Sequence, residues 1–350
     1  DPVDPELESG LARGVDPKDA ADLAARVWPD GGVVRTYRAQ VKAEVERVID
    51  RLDLDACGPA APVWSLLMAM EHDRIHFETS SVLMRQTDVP LTPPDGWQPV
   101  HPTEAARVDA QWLRLPPRRV RLGRPGHAQT FAWDNELGRL EEDVPPFDVS
   151  TTLMTQHEFA AFVRAGGYGE RRFWSPEGWA WNQRTHCVRP PFWTDETLEG
   201  GPVRSTFGLR PVVWDAPVEV TAHEAHAFTQ WMSAEHRDRP EVRLPTELEW
   251  ASLSLDAPRV HDDHATHPGF NLALRHHGPR PVRASVKTPP VIHAAVGNVW
   301  QWPADDFQPL PGFETHALDP DFSEPYLDDQ HAVLRGGPWP PPGTLSHIHI

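Results

Sequence analysis

Prolines stand at 39 of the 350 positions and glycines at 23 more. The stretch that most constrains the fold is one that both avoid. From Val63 to Gln86 neither occurs. Proline removes a backbone donor and clashes with the preceding turn, and glycine costs about 1 kcal/mol against alanine inside a helix. A run free of both predicts one long helix, and Leu66, Leu67, Met70, Ile75, Phe77 and Leu83 supply its apolar bulk. A second helix is expected over Thr36–Leu54, where Tyr37, Val41, Val45, Val48, Ile49 and Leu52 recur at spacings of three and four. The stretch Asp55–Pro62, with its Gly-Pro and Ala-Pro pairs, links them. Two long helices joined by a short loop suit an up-and-down bundle. Before them, residues 1–34 are acidic and broken, with a short helix expected near Pro17–Val27.

The long helix carries His72 and His76. Residues four apart lie one above the other on a helix, so both imidazoles can converge on one divalent metal. By spacing alone, a helix that binds nothing fits as well. Glu78 lies two residues past His76 and points away from that face, which suits a supporting or inter-helix contact rather than coordination. No histidine precedes His72, and the chain opens at Asp1. A three-histidine site would therefore draw its third ligand from upstream of Asp1 or from elsewhere in the fold.

A formal charge of -18 argues against nucleic acid and anionic membrane surfaces as partners. No apolar run approaches the roughly 18 residues of a membrane span, and no signal segment opens the chain. With only Cys57 and Cys187 present, a reducing, cytoplasmic setting is expected. Proline-rich Val89–Pro117 reads as a connector, which places a domain boundary near Pro117: 1–117 helical, 118–350 mixed. Beyond it, Arg119–Leu122 and Gln129–Trp133 suggest strands. Three helix starts carry capping boxes, at Thr155/Glu158, Thr221/Glu224 and Thr246/Glu249, and Gly166-Gly167 ends the first. The 15 tryptophans suit a loop-rich region pinned by aromatic side chains.

The string Glu71–Gln86, EHDRIHFETSSVLMRQ, resembles the HxxxHxE metal helix of the ovothiol and ergothioneine sulfoxide synthases and their selenoneine-making relatives. Its ETSSVL continuation is nearer the ovothiol-type form than the ergothioneine-type HEQQH form. The second region resembles a formylglycine-generating-enzyme-type domain, related to C-type lectins. The matching pieces are Phe131–Glu136 (FAWDNE), Trp174–Trp181 (WSPEGWAW), Arg243–Trp250 (RLPTELEW), Gly297–Trp302 (GNVWQW) and Leu334–Gly337 (LRGG). Asp305–His316 is again nearest the ovothiol type. The resemblance implies an α+β protein: a DinB-like helical bundle followed by a C-type-lectin-like domain with little regular structure. Several of these motifs belong to the fold wherever it occurs, so their tryptophans are expected to fill core rather than touch ligand.

The family likeness further implies Fe(II) held by His72, His76 and a third histidine upstream of Asp1, with dioxygen as co-substrate. The reaction it implies forms a carbon–chalcogen bond on the imidazole ring of hercynine or histidine. Pocket residues are expected from the late segment: Phe322, Tyr326 and Trp339, with Tyr326 the candidate catalytic tyrosine. Aromatic faces there would hold a trimethylammonium group, which favours hercynine. Departures from the pattern include Pro303 after GNVWQW, Gly337-Pro-Trp-Pro-Pro in place of the usual GGSW continuation, and a stop at Ile350. A methyltransferase domain of the ovothiol type is not visible. These departures point to a selenoneine-synthase-like enzyme using a selenosugar, with an ovothiol- or ergothioneine-type synthase using a cysteine-type thiol as the alternative. A lectin-like binding protein without catalysis is the alternative of another class. A formylglycine-generating oxidase needs paired reactive cysteines, which Cys57 and Cys187 do not supply. His347 and His349, two apart, fit a strand edge better than a metal site.

Overall fold

The computed structural model describes residues 3–10, 29–54, 58–87, 91–93, 95, 111–124, 131–235, 241–255, 271, 276, 278–284, 287–288, 292–293, 297–337 and 347–349. Cys57, Trp339, the helix expected near Pro17–Val27 and most of the connector Val89–Pro117 lie outside them. The chain divides into two compact units, Asp1–Val63 and Trp64–Ile350.

The first unit holds α1 (Pro5–Gly10) and α2 (Gly31–Ile49). The second helix starts five residues before the expected Thr36 and ends five before Leu54. Its start is set by Asp30, whose side chain accepts from the Gly32 amide at 2.6 Å. Apolar spacing cannot see a polar first turn. At the other end Arg51 and Leu52 amides bond to Val48 and Ile49 carbonyls, so the last apolar position sits in turn rather than helix. None of the residues of α2 is buried, and Val45 and Val48 are 41% and 52% exposed. Its apolar stripe is real as a pattern but forms no core. Tyr37 donates its hydroxyl to Glu8 of α1 at 3.3 Å.

The second unit takes in nearly all of α3 (Pro62–Arg85), one residue offset from the expected Val63–Gln86. Beyond it come short antiparallel pairs and helices. Strands β1 (Trp112–Leu115) and β4 (Phe147–Ser150) pair, as do β2 (Arg118–Leu122) and β3 (Leu140–Val144). So do β5 (Pro202–Ser205) with β6 (Gly208–Pro211), β7 (Lys287–Thr288) with β8 (Ile292–His293), and β9 (Val333–Arg335) with β10 (His347–His349). The strand expected over Gln129–Trp133 is not formed at Phe131–Trp133, which runs as irregular chain into a 3-10 turn at Asp134–Glu136. There the Arg124 amide bonds to the Glu136 carbonyl and the Arg124 guanidinium to the Phe131 carbonyl. Those contacts replace a strand ladder and leave three buried residues, Phe131, Ala132 and Trp133, as a plug.

All three capping boxes form. Helix α4 (Gln156–Arg164) is capped by Thr155 and Glu158 and ends at Gly166 in the left-handed region, φ 75°. Helix α5 (Pro176–Thr185) follows. Helix α6 (Ala222–Glu235) is capped by Thr221 and Glu224, and α7 (Glu247–Ser254) by Thr246 and Glu249. A threonine oxygen and a glutamate carboxylate each satisfy an amide that the helix leaves unbonded, which is why three sequence positions locate a helix start. Two apolar clusters form the core. One joins β1, β2 and β3 to Trp250, Ala251 and Leu253 of α7. The other is aromatic, with Phe159 and Phe162 of α4 packed on Phe228 of α6 and on Tyr168 and Trp174.

Candidate metal centre

Helix α3 buries one stripe. Trp64, Met68, Glu71, Ser81 and Arg85 are each at most 8% exposed, and half-buried Ile75 and Glu78 continue the line. Steps of three and four keep such residues on one face. His72 and His76 each sit one position past this stripe, at Glu71+1 and Ile75+1, so they flank the packed face rather than enter it. His72 is half-buried and His76 exposed. Their ring centroids are 4.4 Å apart with planes at 83°. The two imidazoles therefore stand one turn apart on the same flank of the helix, as helical spacing requires. Among the described residues no group of three or more His, Cys, Asp or Glu side chains is placed to hold a metal ion.

The packed face of α3 is anchored along its length. At its start the Trp64 ring lies 4.9 Å from Phe131, Phe131 5.3 Å from Trp133, and Trp133 stacks on Phe322 at 3.8 Å. In its middle Glu78 accepts from the indole N–H of Trp300 in GNVWQW. Burial pushes the Glu78 carboxyl up to about 7, with the Trp300 hydrogen bond pulling the other way. At its end Arg85 forms a two-pronged ion pair with Glu219, at 2.6 and 2.8 Å. The Arg85 guanidinium lies 3.5 Å over the Phe192 ring. Glu78 thus contacts the GNVWQW turn rather than another helix.

The late-segment residues fall in two places. Phe322 is held against Trp133, and the neighbouring Ser323 hydroxyl donates to Asp134 at 2.5 Å, so Phe322 joins the aromatic line that reaches α3 at Trp64. Tyr326 closes a 3-10 turn (Glu324–Tyr326), is 37% exposed and meets the His331 ring edge-on at 5.1 Å. Cys187 is a free thiol. Sequence reading missed three long-range partners of α3: Glu219, Trp300 and the Phe131–Trp133 pair. The FAWDNE and GNVWQW motifs mark two of them, but nothing near Glu219 singles it out.

A cavity of about 820 Å³ opens between the two core clusters. Phe159 and Phe228 line it from one side, Trp250 and Ile292 from the other, and Trp300 and Trp302 from the GNVWQW turn. Trp300 thus joins the cavity wall to the helix that carries the histidines. Trp302 donates its indole N–H to the Val220 carbonyl, a core contact of the kind expected for this motif.

Residues 105–259 match the sulfatase-modifying factor enzyme 1-like domain family. The chain is 29% identical over 330 residues to a hercynine oxygenase of Mycolicibacterium smegmatis, covering 89% of this chain and 72% of that one. It is 30% identical over 325 residues to the hercynine oxygenase of Mycolicibacterium thermoresistibile, covering 87% and 67%. Ergothioneine biosynthesis protein 1 of Neurospora crassa is 21% identical over 418 residues, covering 95% of this chain and 46% of that one. The chain belongs to the ergothioneine- and ovothiol-synthase-like family that includes these hercynine oxygenases.

Proposed function

We propose that this chain is an oxygen-dependent non-haem iron enzyme that joins a chalcogen to the imidazole ring of hercynine. The observation that carries this reading is the His72–His76 pair, two imidazoles 4.4 Å apart on the flank of a helix pinned by its neighbours. Imidazole donors suit Fe(II), and two of them one turn apart fit adjacent positions around one ion. When bound, the metal supplies the oxygen chemistry that protein side chains lack. The hercynine oxygenase relatives support hercynine as the ring substrate.

This chain's own residues place and orient. Trp64, Glu78 and Arg85 fix α3 at its start, middle and end, which sets where both rings stand. Holding ligands on a rigid, well-supported element is what gives a metal site its geometry. Phe322, Tyr326 and Trp339 are the proposed substrate residues, whose aromatic faces would receive the trimethylammonium group. Tyr326 is the proposed proton-handling residue. The DinB-like bundle is the proposed organisation of residues 1–117, followed by the formylglycine-generating-enzyme-type domain over 118–350.

For the chalcogen donor we assign a selenosugar, on the departures at Pro303 and Gly337–Pro341. A cysteine-type thiol is the second reading, and the names of the relatives favour it. Protein loaded anaerobically with Fe(II) is offered hercynine and air with either donor, and oxygen uptake and product mass are followed. Uptake and a hercynine–selenium adduct with the selenosugar alone support the first reading. Product with the thiol alone removes it in favour of the second. A chain that retains no divalent metal refutes both.

A further inference from the structure

Where α3 ends, a small pocket of about 70 Å³ is lined by three guanidinium groups, Arg85, Arg204 and Arg210. Glu219 is the one carboxylate among its described lining residues. That carboxylate is already committed, because both of its oxygens accept from Arg85. Arg204 donates to the Thr87 carbonyl at 2.7 Å. The Nε of Arg85 and the Nε of Arg210 are buried and have no hydrogen-bond partner. Among the described lining residues three guanidinium groups thus meet one carboxylate, and that carboxylate is bonded to Arg85. Buried N–H groups of a cation left without an acceptor are among the costliest unsatisfied groups in a protein.

The shape narrows the ligand. Guanidinium N–H groups match a planar carboxylate, which accepts two at once. A volume of about 70 Å³ exceeds the roughly 30 Å³ that one water occupies in the liquid, and it suits a carboxylate with one or two carbons. Phe192, Trp193, Val203 and Pro279 give the rest of the wall an apolar surface for those carbons. We propose that this pocket is a carboxylate-binding site, filled by a small free carboxylate or by the carboxylate end of a larger molecule. The terminal N–H groups of Arg210, which lines the pocket, are its donors.

Thermal unfolding of the full chain tests this, in a buffer free of carboxylates, with sodium acetate titrated against sodium chloride at matched ionic strength. Acetate is expected to raise Tm in proportion to the logarithm of its concentration above Kd, by about 5 °C at a hundredfold excess, while chloride does not. The substitution Arg210→Gln should abolish that rise while leaving Tm without acetate at or above the parent value, because it removes an unbalanced cation. Arg210→Lys, which keeps the charge and loses the planar fork, should weaken acetate binding about tenfold or more. The exposed Arg119→Gln is the control and should respond as the parent does. A benzoate rise of similar size assigns the site to the end of a larger molecule, and its rejection to a small free carboxylate. The proposal is overturned if acetate raises Tm no more than chloride does at matched ionic strength, if Arg210→Gln responds as the parent does, or if phosphate binds at lower concentration than acetate.

Discussion

The ion pair that ends α3 offers a test of what holds the histidine-bearing helix in place. The Arg85 side chain is 7% exposed and that of Glu219 31%, so the two partners do not share burial equally. Replacing Glu219→Gln leaves a buried guanidinium without its counter-charge. Orphaning one partner of a fully buried pair costs about 3–5 kcal/mol. Because the Glu219 side reaches solvent, water screens part of this, and about 2–3 kcal/mol is expected. At about 2 °C per kcal/mol for a unit of this size, Tm should fall by about 4–6 °C. Arg85→Met leaves only the more hydrated carboxylate behind and keeps an apolar chain on Phe192, so about 1–2 kcal/mol is expected. The double variant should cost less than the sum of the two, since it strands neither charge. Urea unfolding of the four proteins in carboxylate-free buffer, with hydrogen exchange along 62–85, gives all these quantities. If Arg85→Met proves the costlier single change, or Glu219→Gln costs under about 0.5 kcal/mol, burial of an unpaired guanidinium is not what this contact prevents.

Other perturbations probe the histidine pair and the aromatic core. His72→Ala or His76→Ala should each lower Fe(II) retention by more than the roughly 10–100-fold typical of losing an outer hydrogen-bond partner, with Tm of the metal-free protein changed by about 1 °C or less; metal analysis after gel filtration, with unfolding alongside, reads both. Gly167→Ala would bring a methyl carbon within 2.0–2.5 Å of three carbons of the fully buried Phe162 ring. Overpacking of that kind should cost about 1–3 kcal/mol in urea unfolding. Burial holds the Glu224 carboxyl above its ordinary value of 4.5, against the lowering pull of hydrogen bonds from Tyr168 and Thr221. The folded state therefore keeps this proton to higher pH than the unfolded chain does, and its contribution to stability is fully present below about 4.5 and lost as pH rises through the raised value. Unfolding at pH 5 and pH 8 should show that slope in the parent and a flatter one in Glu224→Gln; equal slopes would remove Glu224 as its source.

The parts of the fold legible in the sequence are those whose causes lie within a few residues. The long helix follows from an unbroken run between prolines, and its observed ends differ from the expected ones by a single residue. The three helix starts at Thr155, Thr221 and Thr246 follow from pairs three residues apart that bond to each other's backbone. The closeness of His72 and His76 follows from helical geometry alone. Where expectation failed, the cause was distant. Phe131–Trp133 carries strand-like residues, yet its backbone bonds go to Arg124 and Glu136 and its rings to Trp64 and Phe322. The apolar stripe of α2 sits on a helix that buries no residue, because periodicity records a preference for burial and not the presence of a neighbour.

The sequence by itself determined that residues 62–85 form a helix and that two imidazoles stand together on its flank, since both are consequences of backbone geometry acting over one or two turns. Only the tertiary structure decided what grips that helix. Glu219 lies 134 positions from Arg85, and Trp300 lies 222 from Glu78. The same folding left Arg210 against a pocket with no partner for its Nε. Contacts closed across loops of such length depend on how the whole chain packs, and no local spacing encodes them.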